Sequence, residues 1–100
     1  MDKFIIEILF WAEEDLNEIA KYYENLSKGL GDKFYCEVRI IIESLKINPF
    51  YQITKEEIRK ISIEKFPYSI FFRVNETEKK VYIEAIINDY LLPFSKIVKK

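Results

Sequence analysis

Three apolar segments in the second half of the chain give the clearest prediction of secondary structure. Residues 58–65 alternate apolar and polar side chains, residues 66–74 are rich in aromatic ones, and residues 81–88 are rich in β-branched ones. A polar break at residues 75–80 separates the last two segments. Runs of this length and composition, bounded by a proline, a turn or charges, are typical of consecutive antiparallel strands. We therefore predict a three-stranded meander over residues 58–88.

The amino-terminal quarter changes from strand to helix periodicity. Residues 4–10 are branched, aromatic and almost wholly apolar, which favours a short strand that is covered on both faces. From Ala12 onward, apolar residues recur at every third or fourth position and predict an amphipathic helix. Its apolar stripe consists of Ala12, Leu16, Ile19, Tyr23 and Leu26.

A second helix follows a turn that holds both glycines of the chain. Gly29 can adopt the left-handed conformation between the two helices, and the second helix is expected to end at residues 48–49. Its core stripe is Leu30, Phe34, Val38, Ile41 and Leu45. Further apolar side chains lie outside that stripe, so the helix is either deeply buried or offers a second face to another chain. These are Tyr35, Cys36, Ile40, Ile42 and Ile47.

The predicted element order is β-α-α-β-β-β, with a loop at residues 50–57. We expect an α+β fold in which two antiparallel helices pack on one face of a four-stranded antiparallel sheet. The first strand must lie beside one of the three later strands. Residues 1–93 are expected to form this single domain, and residues 94–100 a basic carboxyl-terminal tail.

Composition narrows the functional classes. The chain has 16 basic and 17 acidic residues, so no net field attracts nucleic acid or a membrane. It contains no histidine and one cysteine, Cys36, which removes the familiar metal-binding spacings and the usual general base. We expect no metal or cofactor. Glu7 and the acids after Trp11 argue against a signal peptide or membrane segment, and a cytoplasmic location is expected.

Several motifs occur in a fixed order along residues 6–93. They are AEEDL (12–16) and IAKYY (19–23), GLGDKF (29–34), Leu45 with NP (48–49), IRK (58–60), FPYSIFFRV (66–74), and AII (85–87). Together they resemble the RelE/ParE toxins of bacterial type II toxin–antitoxin modules, and more closely the ParE branch. The resemblance implies the same β-α-α-β-β-β fold.

The resemblance also implies a function. A ParE-like toxin acts by binding DNA gyrase and is neutralised by a cognate antitoxin. One alternative is a RelE-like endonuclease that cuts mRNA on the ribosome, and another is a homologue that has lost toxicity. ParE-like chains usually follow the last strand with a histidine and, three residues later, an arginine. This chain has Asn88 and Leu91 there, which weighs against an activity that needs a basic cluster at this position.

The candidate target-binding residues are Arg59, Lys65, Arg73, Asn88 and Tyr90. If Arg59 and Arg73 share the open face of the sheet, they form a forked site for an anion. Otherwise they pair with cross-strand acids such as Glu64 or Glu84. In a nuclease, Arg59, Arg73 and Tyr90 would be the catalytic candidates, since phosphoryl chemistry needs cations and a proton donor.

A partner protein needs an exposed apolar surface. The residues expected to contact an antitoxin are Tyr35, Ile42, Tyr68 and Phe72. An antitoxin segment would add a helix in a groove or a strand at a sheet edge. The same spare helix face and an open edge strand also permit a homodimer.

Overall fold

The computed structural model describes residues 3–50, 53–55 and 57–90. Leu91, the tail at residues 94–100 and the predicted domain boundary at residue 93 lie outside these ranges. Within them the chain forms two helices and five strands. The elements are β1 (Ile5–Ile8), α1 (Phe10–Leu26), α2 (Leu30–Ile47), β2 (Ile53–Lys55), β3 (Ile58–Ser62), β4 (Tyr68–Asn75) and β5 (Lys80–Asn88).

The strands form one sheet in the order β1-β5-β4-β3-β2. The helical hairpin and the antiparallel meander of β3, β4 and β5 confirm the prediction. The expectation of a purely antiparallel sheet is wrong, because β1 pairs with β5 in parallel. The Phe4 N–H donates to the Lys46 carbonyl at 2.8 Å, so α2 ends beside the start of β1. After α2 the chain is therefore back at the end of the sheet where β1 starts. Strands β3 and β5 both run in the same direction as β1.

The predicted loop at residues 50–57 contains a short strand. Strand β2 pairs antiparallel with β3, with Ile53 opposite Arg59 and Lys55 opposite Ile58. Glu57 has a φ of 65°, the left-handed conformation that a tight link between the two strands requires. Three residues are too few to show a strand periodicity, which is why β2 cannot be seen in the sequence.

Strand β1 is covered on one face only, contrary to expectation. It lies at the edge of the sheet, where Ile6 and Ile8 pack against the core and Ile5 is 60% exposed. Glu7 is also exposed, with Oε1 at 4.0 Å from Lys80 Nζ. The strand is also shorter than the apolar run, because helix α1 already begins at Phe10. A short run that is almost wholly apolar therefore does not by itself require two covered faces.

The apolar stripe of α1 is confirmed except at its end. Ala12 is fully buried, and Leu16, Ile19 and Tyr23 pack against the core. Leu26 was expected to be buried and is 60% exposed. It is the last residue of the helix, and the chain turns away directly after it.

The turn between the helices depends on glycine in two ways. Gly29 has a φ of 89°, as predicted, and Gly31 lies where a Cβ atom would be 2.6 Å from the Ala20 carbonyl oxygen. The Glu24 carboxylate accepts the N–H groups of both glycines at 2.9 Å. An acid on α1 thus satisfies two backbone donors at the start of α2 and fixes the hairpin.

The core lies between the helices and one face of the sheet. The α2 residues Phe34, Val38, Ile41 and Leu45 are all buried, as predicted. The Phe34 ring meets three further aromatic rings, with centroid distances of 5.1 Å to Phe66, 5.8 Å to Tyr23 and 5.9 Å to Tyr68. Each fully buried side chain of this size contributes about 1.5–3 kcal/mol of gross transfer free energy.

We expect Leu45→Ala to lower the free energy of unfolding by about 2–5 kcal/mol, because it leaves a cavity at a fully buried position. Leu26→Ala is the matched control, since Leu26 is 60% exposed on the other helix. It should cost less than about 1 kcal/mol. Urea denaturation followed by circular dichroism measures both variants. Equal losses would contradict the assignment of the core.

Candidate functional site

Arg73 lies on the face of the sheet that points away from the helices. In the β4–β5 register Phe71 faces Ala85 and Phe72 faces Ile83, so Glu84 is the extra residue of a β-bulge. Arg73 faces Tyr82 across the strands, and its Nε is 3.3 Å from Glu84 Oε2. The cross-strand pairing that the sequence left open is therefore observed for Arg73.

Arg59 lies on the opposite face. It faces Phe72 in the neighbouring strand, and consecutive strand residues point to opposite sides, so Arg59 and Arg73 are separated by the sheet. The Arg59 guanidinium carbon is 5.3 Å from the centroid of the Phe50 ring, which is a cation–π contact. The forked anion site that would require both arginines on the open face is therefore not formed.

Lys65 and Tyr90 are surface residues. Lys65 lies in the link between β3 and β4 with a φ of 74°, and its Nζ is 3.7 Å from Glu37 Oε2 on α2. Its side chain is 68% exposed, so this ion pair contributes little stability. Tyr90 is 87% exposed, and its N–H donates to Asn88 Oδ1 at 2.8 Å. Neither side chain is held close to the two arginines by a described contact.

Tyr68 and Asn88 come together at one end of the sheet. They face each other where β4 begins and β5 ends, and both line a cavity of about 220 Å³. The remaining lining residues are Asp15, Glu18, Ile19, Ile86 and Ile87. We call this site the Asn88 cavity.

Hydrogen bonds hold this end of the sheet in place. The Ser69 hydroxyl is fully buried and donates to Asp89 Oδ1 at 2.6 Å. The Asp89 N–H donates to the Pro67 carbonyl at 2.8 Å. The start of β4 and the segment after β5 are therefore tied together, which keeps Tyr68 and Asn88 in register.

The Asn88 cavity has an acidic wall from α1. Asp15 and Glu18 supply two carboxylates, Tyr68 a phenol and Asn88 an amide. Like charges repel, so such a wall disfavours a phosphate and favours a cationic or hydrogen-bond-donating group. Asp15, Glu18 and Ile19 are site residues that the sequence did not point to. Their i, i+3, i+4 spacing, which puts them on one helix face, is the signal that could have found them.

The residues expected to contact an antitoxin do not share one surface. Phe72 is fully buried, and Ile42 and Tyr68 are partly buried against the core. Tyr35 is 37% exposed, and its hydroxyl donates to Asn17 Oδ1 at 2.7 Å across the outside of the hairpin. Phe72 is thus unavailable to a partner, because the helices cover its face of the sheet.

Two tyrosines have shifted pKa values. Burial raises the pKa of Tyr23 above its ordinary value, and the neighbouring phenols of Tyr68 and Tyr22 raise it further. Partial burial also raises the pKa of Tyr82, whose hydroxyl donates to Glu78 Oε1 at 3.2 Å. Both phenols therefore stay protonated near neutral pH, where they can donate hydrogen bonds and cannot serve as bases.

The described residues contain neither a group that could bind a metal ion nor a helix that could span a membrane. No three His, Cys, Asp or Glu side chains among them are grouped so that they could hold a metal ion. In the same part of the chain, neither helix is both long enough and apolar enough to cross a bilayer.

The fold is that of the RelE/ParE toxins. The chromosomal ParDE system of P. aeruginosa matches with a TM-score of 0.64 and 24% identity, over 85% of this chain and 95% of that one. The RelBE2 toxin–antitoxin complex of Mycobacterium tuberculosis matches with a TM-score of 0.61 and 12% identity, over 86% of this chain and 98% of that one. A mutant of E. coli RelE in the free state matches with a TM-score of 0.56 and 16% identity, over 99% of this chain and 97% of that one. No curated protein sequence matches the chain.

The family follows from the sequence model. Residues 11–89 match the ParE toxin of the type II toxin–antitoxin system parDE. The chain therefore belongs to the ParE toxin family, as the motifs along it predicted.

The raised pKa of Tyr23 predicts a loss of stability at alkaline pH. The pKa of Tyr23 is higher in the folded than in the unfolded chain, so the protonated phenol stabilises the fold. This contribution to the free energy of unfolding is fully present below about pH 10 and is lost as the pH rises through the folded pKa. We expect Tyr23→Phe to flatten this decline in urea denaturation between pH 8 and pH 11. Tyr90→Phe, at a residue that is 87% exposed, is the control and should retain the steeper decline. Identical profiles for the two variants would refute the burial of Tyr23 as the cause.

Proposed function

We propose that this chain is a toxin that acts by binding a protein target instead of cleaving RNA. DNA gyrase is the proposed target, and a cognate antitoxin is the proposed neutralising partner. The gyrase assignment rests on membership of the ParE family. The choice of binding over cleavage rests on one observation: the candidate residues that converge, Tyr68 and Asn88, share a cavity with Asp15 and Glu18.

The acidic wall supports protein binding on electrostatic grounds. An RNA backbone places a negative charge at every nucleotide, and its binding depends on lysine and arginine contacts. Two carboxylates beside Asn88 oppose such contacts. The carboxylates of Asp15 and Glu18 and the amide of Asn88 instead favour a lysine or arginine side chain of a protein. Such a side chain can form charge-assisted hydrogen bonds to carboxylate and amide oxygens.

The positions of the arginines weaken the nuclease alternative. Cleavage by attack of the 2′-hydroxyl needs cations that converge on one phosphate. Arg59 and Arg73 lie on opposite faces of the sheet, and Arg73 pairs with Glu84. The fold alone does not decide the matter, because the chain resembles RelE structures as well as the ParDE system.

The antitoxin proposal follows from the kind of system to which the family belongs. The matched family model describes a toxin of a toxin–antitoxin system, and the structure from M. tuberculosis is a toxin–antitoxin complex. An open reading frame next to the gene, short and either acidic or DNA-binding, is the expected source of the partner. Its product should form a stable complex with this chain.

A supercoiling assay with purified gyrase tests target and partner together. We expect the free chain to inhibit supercoiling and the neighbouring gene product to restore it. Glu18→Lys reverses a charge in the Asn88 cavity and should weaken inhibition at least tenfold, which is about 1.4 kcal/mol. Glu13→Lys is the matched control on the same helix, outside the cavity lining, and should inhibit like the native chain.

Each result bears on a separate part of the proposal. Full supercoiling in the presence of the native chain would contradict gyrase as the target. Equal inhibition by both variants would contradict the role of the cavity. Continued inhibition after the neighbouring gene product is added would contradict its role as antitoxin.

A further inference from the structure

Helix α2 is apolar on two opposite sides. Phe34, Val38, Ile41 and Leu45 point into the core, whereas Cys36, Ile40 and Ile47 point outward. At 100° per residue the outward three fall within 40° of one another and roughly opposite the buried stripe. Ile40 is 59% and Ile47 is 64% exposed. A repeated apolar stripe on an outward helix face is typical of a protein interface.

Charged residues border this outward stripe in a self-complementary order. Lys33 precedes Cys36 on the same side of the helix, and Glu43 lies between Ile40 and Ile47. Glu43 Oε2 is 3.0 Å from Lys46 Nζ, in an exposed i,i+3 pair. Such pairs contribute little, so Glu43 can exchange this partner for another lysine. Arg39 flanks the stripe on one side, and Glu37 flanks it on the other and faces Lys65.

We propose that two copies of this chain associate through the outward stripe of α2. The two helices run antiparallel about a two-fold axis that crosses the outward stripe at the level of residue 38 along the helix. In this register Cys36 meets Ile40 of the second copy and Lys33 meets Glu43 of the second copy. A two-fold axis makes each contact occur twice. The antiparallel arrangement also places each helix end beside the oppositely charged end of its neighbour.

The ends of the interface fit the same register. Ile47 of one copy lies over the turn at Gly29 of the other, and a Cβ atom built on Gly29 meets no atom within 4 Å. One helix face on each side gives a small contact, so we expect a weak dimer that dissociates in the micromolar range (about 1–100 µM). This association is separate from gyrase inhibition and holds or fails independently of it.

Zero-length carbodiimide crosslinking of the purified chain at about 100 µM tests the register, at a concentration where a micromolar dimer is populated. Within one α2 helix, Lys33 and Glu43 are ten residues and about 15 Å apart, too far for a direct amide bond. A Lys33–Glu43 crosslink in mass spectrometry therefore reports a second copy, and mixing ¹⁵N-labelled with unlabelled chain confirms that it joins two molecules. The Lys46–Glu43 crosslink within one chain is the internal control.

Sedimentation equilibrium of matched variants tests the surface. Ile40→Lys should weaken dimerisation at least tenfold. Leu26→Lys introduces the same charge at a residue of equal exposure, 60% against 59%, and should leave dimerisation unchanged. A monomer at every concentration, or equal effects of both variants, would overturn the proposal. The proposal would also be overturned if the native chain were monomeric and Ile40→Lys no longer bound the neighbouring gene product. In that case the antitoxin, and not a second copy, would occupy the outward stripe.

Discussion

Burial of one α2 stripe against the sheet is the interaction on which the rest of the structure depends. Phe34 and Leu45, near the two ends of the helix, are fully buried. They fix where the helix begins and ends relative to the sheet. Phe34 joins the rings of Tyr23, Phe66 and Tyr68, so one side chain links both helices to the start of β4. The far end of α2 is hydrogen-bonded to the residue before β1.

The geometry of the Asn88 cavity depends on this packing. Glu24 satisfies the backbone donors of Gly29 and Gly31, so α1 is fixed relative to α2. With α1 fixed, Asp15 and Glu18 lie beside the end of β5. The acids of the Asn88 cavity are thus held by the hairpin, and the amide and phenol by the register of β4 and β5. A partner that binds at this cavity would meet a preformed surface, and preformed surfaces lower the entropic cost of binding.

The helices were predictable because their signal is local. The α2 stripe repeats over four turns. Four of its five predicted residues are buried, and Leu30 is partly buried against the core. Gly29 was predictable because glycine adopts a left-handed φ without steric cost. The edge of the sheet was not predictable in this way. Strand β2 is too short to show a period, and the parallel pairing of β1 depends on where α2 delivers the chain.

The candidate site was less predictable than the fold because it depends on strand register. Arg59 and Arg73 lie in different strands, so only the pairing of β3 with β4 shows that they occupy opposite faces. The bulge at Glu84 is also invisible to simple alternation, which would place Ala85 on the same face as Ile83. Asp15 and Glu18 were missed because a helix carries many acids, and only tertiary packing selects those that line a cavity.

Primer extension on a translated message is the most direct test of the claim that this toxin binds and does not cut. The reaction contains ribosomes, a defined mRNA and either the native chain or Arg73→Ala. Because Arg59 and Arg73 are separated by the sheet and the cavity at Asn88 is lined by two acids, we expect a full-length message in both reactions, equal to a reaction without toxin. Cleavage by the native chain that is lost in Arg73→Ala would contradict it.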